Sequence, residues 1–117
     1  MTDQAVANPF TLDIEKKSDS IVVVCHGRLV AGLCDALHAR VSPLLSESKV
    51  VVLDLGDVTF MDSIGLGTMV RLYVSAKSVG CDLELLHVGR RIREVLGVTH
   101  LLQVFTIIGE GMAGPRL

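Results

Sequence analysis

Short runs of consecutive aliphatic residues alternate along the chain with longer segments in which aliphatic residues recur every three or four positions. The clearest run is Lys49–Asp54, in which four consecutive apolar residues stand between polar ends, as in a central strand covered on both faces of a sheet. The run Ile21–Cys25 is also apolar throughout and predicts a second buried strand. Strands that alternate with helices form mostly parallel sheets with right-handed crossovers. The sequence therefore predicts an α/β fold built on a mostly parallel sheet.

The N-terminal part of the chain departs from this parallel pattern. Residues 10–16 alternate apolar and polar side chains, as a half-exposed strand does, and residues 17–20 are turn-forming. A connection this short joins antiparallel neighbours, so residues 10–16 and Ile21–Cys25 are expected to pair as a hairpin. The predicted sheet is therefore mixed, with one antiparallel pair.

Three segments have helical periodicity and are expected to pack on this sheet. The first carries an apolar stripe that runs into Pro43, a residue expected to end or kink the helix. The second extends from about Ser63 to Val79 and is followed by Gly80, a suitable residue just beyond a helix end. The third is a short helix over residues 90–96, which Gly97 is expected to end. The stripe of the first helix is Val30, Leu33, Cys34, Leu37, Val41, Leu44 and Leu45, and that of the second is Leu66, Met69, Val70, Tyr73 and Ala76.

The remaining segments complete the predicted order β-β-α-β-α-β-α-β. Residues 82–87 and 104–108 predict two more strands, and residues 56–62 predict a loop before the second helix. Residues 109–117 carry three glycines and a proline and predict a weakly ordered tail.

The composition limits the class of protein. The chain has 117 residues, half of them hydrophobic, and a formal net charge of -2, so one globular domain over residues 1–117 is expected. Near-neutral charge and 3% aromatic residues disfavour nucleic-acid binding, and no apolar run approaches the ~20 residues that span a bilayer. The three cysteines have no metal-ligand or disulfide spacing, and the N-terminus has no secretory signal pattern. We therefore expect a cytoplasmic protein with reduced thiols, no metal and no cofactor.

The start of the second helix differs from an ordinary helix start. Asp62 is a suitable N-cap, since its carboxylate can accept hydrogen bonds from the free amides of the first turn. Met61 and Leu66 are then spaced as a hydrophobic staple. Gly65 and Gly67 each cost up to ~1 kcal/mol of helix stability relative to alanine. This cost suggests that another surface approaches the backbone closely, or that the helix start must repack.

Ser63 takes the first helical position, where its hydroxyl lies near the positive end of the helix dipole. A phosphate there would add about -1.5 to -2 charges at a site where amides and the dipole tolerate an anion. Such a modification would leave the fold intact and change which partner can dock. The alternative interpretation is a well-capped helix in which both glycines are incidental.

The string DSIGLG at residues 62–67, preceded by VVLDLGDVTFM, resembles the signature of the STAS-domain anti-sigma factor antagonists. Three further segments resemble that family's turn before its first helix, its short third helix and its approach to the last strand: residues 27–29, residues 89–96, and residues 98–101 with 104–105. The resemblance covers about residues 10–108 and implies a single STAS-like domain followed by the tail at 109–117.

The resemblance implies a partner-switching regulator that is not an enzyme. In that family the serine matching Ser63 is phosphorylated by an anti-sigma factor that is itself an ATP-dependent serine kinase. The unphosphorylated form binds the anti-sigma factor and frees the sigma factor, and a PP2C-type serine phosphatase resets the switch. A homodimer is left open. The implied partner-binding residues are Asp62, Ser63, Ile64, Gly65, Leu66 and Gly67, with Gly27 and Leu29 nearby.

Two positions depart from the family pattern. Val30 stands where the family commonly has an aspartate, and Ile64 follows the serine where the family often has a small polar residue. The Val30 departure keeps two other roles of STAS-like domains open. These are a scaffold component of stress-sensing assemblies and a cytoplasmic subunit of a lipid transporter, both without the Ser63 switch.

Two enzyme-like interpretations compete with a binding protein. A serine hydrolase would use Ser63, which lies in neither a GxSxG nor a complete GDSL motif, with a base among His26, His38, His87 and His100. A phospho-aspartate receiver would use Asp54, but it needs an acidic pair after an earlier strand and a lysine after a later one. Neither feature is evident in the sequence. Residues 25–27, which follow the relevant strand, are Cys-His-Gly and include no acidic residue. Both interpretations are disfavoured.

The basic cluster of the chain lies on the third predicted helix. Arg90, Arg91 and Arg93 could contact phosphates or the carboxylates of a partner. Such a run is more often a solvated helix face. With a net charge of -2 and no interleaved aromatic residues, a protein partner is favoured over nucleic acid.

Overall fold

The structure, a computed structural model, describes residues 10–98 and 106–108. The predicted order of strands and helices is confirmed over these residues. Three of the predicted features lie outside the described residues: residues 104–105 of the last strand, the tail at 109–117, and His100. The elements are β1 Phe10–Lys16, β2 Ser20–Leu29, α1 Cys34–Val41, a 3-10 helix Ser42–Ser46, β3 Val50–Met61, α2 Ser63–Val79, β4 Asp82–Leu86, α3 Arg90–Val98 and β5 Thr106–Ile108.

The strands form one five-stranded sheet in the order β1-β2-β3-β4-β5. The β1–β2 pair is antiparallel, as predicted for the hairpin, and the other three pairs are parallel. β3 occupies the middle of this order, which confirms the prediction that the run Lys49–Asp54 belongs to a central strand.

One face of the sheet packs into the core more completely than the other. On β3, Val51, Leu53 and Leu55 are buried in the same hydrophobic cluster as residues of α1, α2 and α3. On the opposite face Val52 is buried, but Val50 and Asp54 are only half-buried. The predicted cover on both faces of this strand is therefore confirmed at Val52 but is less complete at Val50 and Asp54.

The first helix follows its predicted stripe but starts later. Residues 31–33 form a turn, in which the Leu33 amide donates to the carbonyl of Val30 at 3.0 Å. Gly32 lies within this turn with a φ of +89°, a conformation that excludes helix. Pro43 stands near the start of the 3-10 helix, at the point where the α-helix ends. The predicted effect of this proline is therefore confirmed.

The predicted loop at residues 56–62 is wrong over most of its length, because β3 continues as a strand to Met61. β4 pairs with β3 only as far as Asp54, whereas β2 remains paired with β3 up to Leu29 and Met61. Two register shifts in β2, on either side of the dipeptide His26-Gly27, accompany this continued pairing. The paired segments His26–Leu29 and Asp57–Met61 are called here the β2–β3 extension.

The second helix has its predicted bounds, and its buried face matches the predicted stripe only in part. The predicted stripe is confirmed at Met69 and Ala76, which are buried, whereas its residues Leu66, Val70 and Tyr73 are only half-buried. The buried face also includes Gly65, Thr68 and Leu72, which the stripe does not contain. Thr68 can be buried because its hydroxyl donates to the carbonyl of Ile64 at 3.0 Å. A glycine and a threonine thus occupy positions that a hydrophobic stripe does not identify.

The third helix also ends later than predicted. Gly97 lies inside α3, which continues to Val98. Ile92 and Leu96 are buried and anchor this helix in the core, whereas Arg90 and Arg91 are exposed. Packing of the apolar face against the core thus stabilises the helix despite one unfavourable glycine.

Candidate functional site

The β2–β3 extension delivers the chain to the start of α2. Its last paired residues are Leu29 and Met61, both buried, and Asp62 follows at once as the residue before the helix. The Asp62 amide donates to the carbonyl of Leu29 at 3.3 Å. Ser63, the first residue of α2, is exposed. The site is therefore a helix start held against the end of a neighbouring strand.

The carboxylate of Asp62 makes two connections. Oδ1 accepts from the Gly65 amide at 2.9 Å, which confirms the predicted N-cap. Oδ2 accepts from the Ala31 amide at 3.0 Å. These backbone hydrogen bonds, from Ala31 first and then Gly65, hold the pKa of Asp62 below its usual value of 3.8. One ionised side chain thus caps α2 and ties the turn after β2 to it.

The two glycines near the helix start have different surroundings. A Cβ at Gly65 would collide with the carbonyl oxygen of Leu29 and would lie 3.1 Å from the Leu29 Cγ. A Cβ at Gly67 would meet nothing within 4 Å in the described part of the chain, and Gly67 is exposed. The predicted close approach of another surface is therefore confirmed at Gly65, where the surface is β2 itself. No described neighbour requires a glycine at position 67.

Large apolar side chains are exposed on both sides of Ser63 in the sequence. Ile64 is 53% exposed and Phe60 is 40% exposed. Farther along α2, Arg71 and Val74 are also exposed. Ser63, Gly67, Arg71 and Val74 follow one another at steps of four, four and three residues, so they share one face of the helix.

The structure separates the predicted partner-binding residues into two groups. Asp62, Leu66 and Gly27 are half-buried, and Ser63, Ile64 and Gly67 are exposed. Gly65 and Leu29 are buried, so they lie behind the exposed part of this surface. The assignment of these residues to partner binding stays a prediction.

The environment of the remaining family-like positions is also defined. Gly27 has a φ of +109° at a register shift of β2, a conformation that favours glycine. Val30 is half-buried, and its carbonyl accepts from the Cys34 thiol at 3.0 Å. Met61 is buried and Leu66 packs partly against the same core cluster, as a staple between them requires. Residues 27–29, which resemble a turn before the first helix, belong to β2, and the turn itself is at 31–33.

The surroundings of Ser63 and Asp54 bear on the two enzyme-like alternatives. Among the described residues Ser63 makes no hydrogen bond to a histidine; His26 contacts Asp13 and Asp57, and His87 contacts Asp54. The Asp54 carboxylate also accepts from the Gly56 amide at 3.0 Å, at the point where the pairing of β3 with β4 ends. Burial and the nearby Asp54 charge raise the pKa of the Cys25 thiol to about 12, which keeps this thiol protonated and unreactive.

The described part of the chain contains no group of three or more histidine, cysteine or acidic side chains placed to hold a metal ion. None of its helices has both the length and the apolar composition required to cross a lipid bilayer.

Sequence reasoning missed contacts that join distant segments. Ala31 contributes to the site through its backbone amide, which no side-chain pattern reveals. Phe60 falls in the segment predicted to be a loop, and its exposure follows only once that segment is seen as strand. The signal available in the sequence was Phe60 itself, a large aromatic residue close to Ser63 in a chain with only 3% aromatic residues.

Comparison with known proteins agrees with this geometry. A family model described as the STAS domain matches residues 11–110. The chain is 25% identical over 105 residues to the anti-sigma-B factor antagonist of Bacillus subtilis (strain 168), and the alignment covers 90% of this chain and 96% of the relative.

Solved structures show the same fold. A candidate anti-sigma factor antagonist from Thermotoga maritima matches with a TM-score of 0.76 at 23% identity, over 91% of this chain and 95% of that chain. The Bacillus cell fate determinant SpoIIAA in its phosphorylated form matches with a TM-score of 0.67 at 18% identity, over 86% of this chain and 93% of that chain.

Proposed function

The chain belongs to the STAS domain family, and from this premise we propose that it is an anti-sigma factor antagonist that docks through the surface around Ser63. In its unphosphorylated form it binds an anti-sigma factor that is also a serine kinase, and the sigma factor is released. Phosphorylation of Ser63 by that kinase abolishes binding, and a PP2C-type serine phosphatase restores it. On this proposal the chain is a substrate of both enzymes and catalyses no reaction itself.

The observation that carries the proposal is an exposed serine at a helix start whose backbone is held rigidly from behind. Gly65 packs on the carbonyl of Leu29, and Asp62 bonds to the turn after β2. A rigid helix start presents Ser63 and Ile64 in one orientation, which lowers the conformational entropy lost when a partner binds.

The geometry also supports a switch by charge. A phosphate on Ser63 would add about -1.5 to -2 charges beside the Asp62 carboxylate. The Gly65 amide is already bonded to Asp62, so this donor of the first turn is not free to neutralise the phosphate. A partner that covers the exposed Ile64 would have to desolvate the phosphate next to it, which is strongly unfavourable. No change of fold is needed for binding to be lost.

The comparisons support the same regulatory class. The Bacillus subtilis relative is named an anti-sigma-B factor antagonist, and the SpoIIAA structure is that of a phosphorylated form. A protein of this fold can therefore carry a phosphate without losing its architecture.

Mapping of an added phosphate tests the proposal directly. The purified chain is incubated with ATP and a lysate of its source cells, and its intact mass is measured before the modified residue is mapped. We expect one added phosphate on Ser63, abolished in Ser63→Ala and retained in Ser78→Ala, a matched control at the exposed far end of the same helix. A phosphate elsewhere, or none with an active lysate kinase, would contradict the proposal.

Co-purification distinguishes the other roles of the family. Recovery of a small histidine-kinase-like ATPase supports the antagonist role, after its binding is confirmed with purified proteins. Recovery of a transporter ATPase, or of a large particle with several STAS domains, would replace the proposal with a transporter or scaffold role. Hydrolysis of activated esters that depends on Ser63 would indicate the serine hydrolase instead.

A further inference from the structure

His26 lies between two carboxylates that belong to different strands. Its Nδ1 is 2.7 Å from Oδ2 of Asp57, and its Nε2 is 2.9 Å from Oδ2 of Asp13. Asp13 is on β1, His26 on β2 and Asp57 on β3, so one imidazole ring joins three consecutive strands. The ring occupies the start of the β2–β3 extension, between the two register shifts of β2.

The number of protons on the ring follows from this geometry. An ionised carboxylate only accepts hydrogen bonds, so both ring nitrogens must donate. A neutral imidazole has one N–H, and its other nitrogen would direct a lone pair at a carboxylate oxygen. Both contacts are therefore satisfied only when His26 is an imidazolium.

The surrounding charges act in the same direction. Hydrogen bonds from His26 to Asp57, and then to Asp13, raise the pKa of the imidazole above its ordinary value of 6.5, against a smaller opposing effect of desolvation. On its own strand the nearest charged residue is Arg28, which is exposed. Asp54, the preceding acidic residue of β3, is bonded to His87 and to the Gly56 amide. The two carboxylates that contact the ring therefore dominate its charge environment.

We propose that His26 is a proton-dependent latch that ties the edge strand β1 to the β2–β3 extension when its ring is charged and releases one of the two contacts when the ring is neutral. The segment that the latch holds is the one that ends at Leu29 and Met61, against the start of α2. The latch is a property of the folded chain and does not depend on the proposed antagonist role.

The pH dependence has a defined sign. The folded state binds the His26 proton more tightly than the unfolded state, so the latch contributes its full stability below pH 6.5. That contribution declines as the pH rises from 6.5 through the higher pKa of the folded state, and above that pKa it is lost. The free energy of unfolding should therefore fall with rising pH over this window.

An NMR titration of the full chain tests the latch. More than half of the His26 rings should be doubly protonated at pH 6.5, with a midpoint above 6.5 that moves down in Asp57→Asn and, to a smaller extent, in Asp13→Asn. A midpoint at or below 6.5, or one that neither variant changes, would overturn the proposal. These variants keep the test valid even where a His26 variant does not fold.

Urea denaturation at several pH values provides the second test. His26→Gln, which cannot carry a charge, should lose the fall in stability above pH 6.5 that the wild-type chain shows. His38→Gln is the matched control, because His38 on α1 makes no carboxylate contact with any described residue. Equal pH dependence in His26→Gln and the wild type would contradict the latch.

Discussion

At the two ends of α2 the backbone groups without partners inside the helix are satisfied in different ways. At the C-terminal end the Gly80 amide donates to the carbonyl of Lys77 and the Cys81 amide to that of Ala76, the pattern of a Schellman motif. Gly80 has a φ of +75°, and Cys81 and Ala76 are both buried. The residues of this motif therefore contribute to stability in a recognised way.

At the N-terminal end some residues stabilise the fold and others do not. Asp62 caps the helix, and Gly65 makes room for the carbonyl of Leu29. Ile64, however, exposes more than half of its surface, and Gly67 weakens the helix with no neighbour that requires a glycine. Exposed apolar residues alone do not mark a site, since Val79 at the other end is 52% exposed.

The difference is consistent with the docking surface proposed above. A glycine that no described neighbour requires, one helical turn after the exposed Ser63, is expected where another molecule approaches α2 closely. Residues that violate a local stability rule without internal compensation are the expected signature of a functional surface.

Gly65→Ala should have the largest effect on stability. The new Cβ would overlap the Leu29 backbone, which cannot move without disturbing the end of β2. We expect a loss of about 3 kcal/mol in the free energy of unfolding, measured by urea denaturation. A loss below about 1 kcal/mol would show that the helix start repacks easily and is not held rigidly.

Gly80→Ala should have an intermediate effect confined to stability. An alanine in the left-handed conformation costs about 1 kcal/mol, and no contact of the Ser63 surface changes. Denaturation should therefore show a moderate loss, while affinity for the anti-sigma partner stays at the wild-type value. A parallel loss of affinity would mean that the two ends of α2 are not independent.

Gly67→Ala should have the smallest effect on stability, and of opposite sign. Its Cβ meets open space, so the helix should gain up to ~1 kcal/mol. Affinity for the partner should nevertheless fall, because the added methyl group occupies the surface that the partner approaches. A variant that is more stable and binds equally well would show that Gly67 is incidental.

Several features of the fold and of the start of α2 could be predicted from residue types close together in the sequence. Asp62 as a cap, the bounds Ser63–Val79 and the glycine after the helix follow from residue types over a few positions. The hairpin and the central position of β3 follow equally from short patterns and turn lengths. The exposed serine at the first helical position needed no knowledge of distant residues.

Features that depend on distant segments could not be predicted. The bond from Ala31 to Asp62 and the contact of His26 with Asp57 each join residues 31 positions apart. Burial of Gly65 depends on the carbonyl of Leu29, so the predicted apolar stripe of α2, although correct at Met69 and Ala76, did not include this glycine. The register shifts that extend β2 and β3 have no clear pattern in the sequence.

The most direct test of the account compares a charge at each end of α2. Binding of the anti-sigma factor kinase is measured by calorimetry for the wild-type chain, Ser63→Asp and Ser78→Asp, with circular dichroism to verify that each variant is folded. We predict that Ser63→Asp weakens binding at least about tenfold, equal to about 1.4 kcal/mol, whereas Ser78→Asp leaves it nearly unchanged. Equal affinities for Ser63→Asp and the wild type would contradict the proposed charge switch at the start of α2.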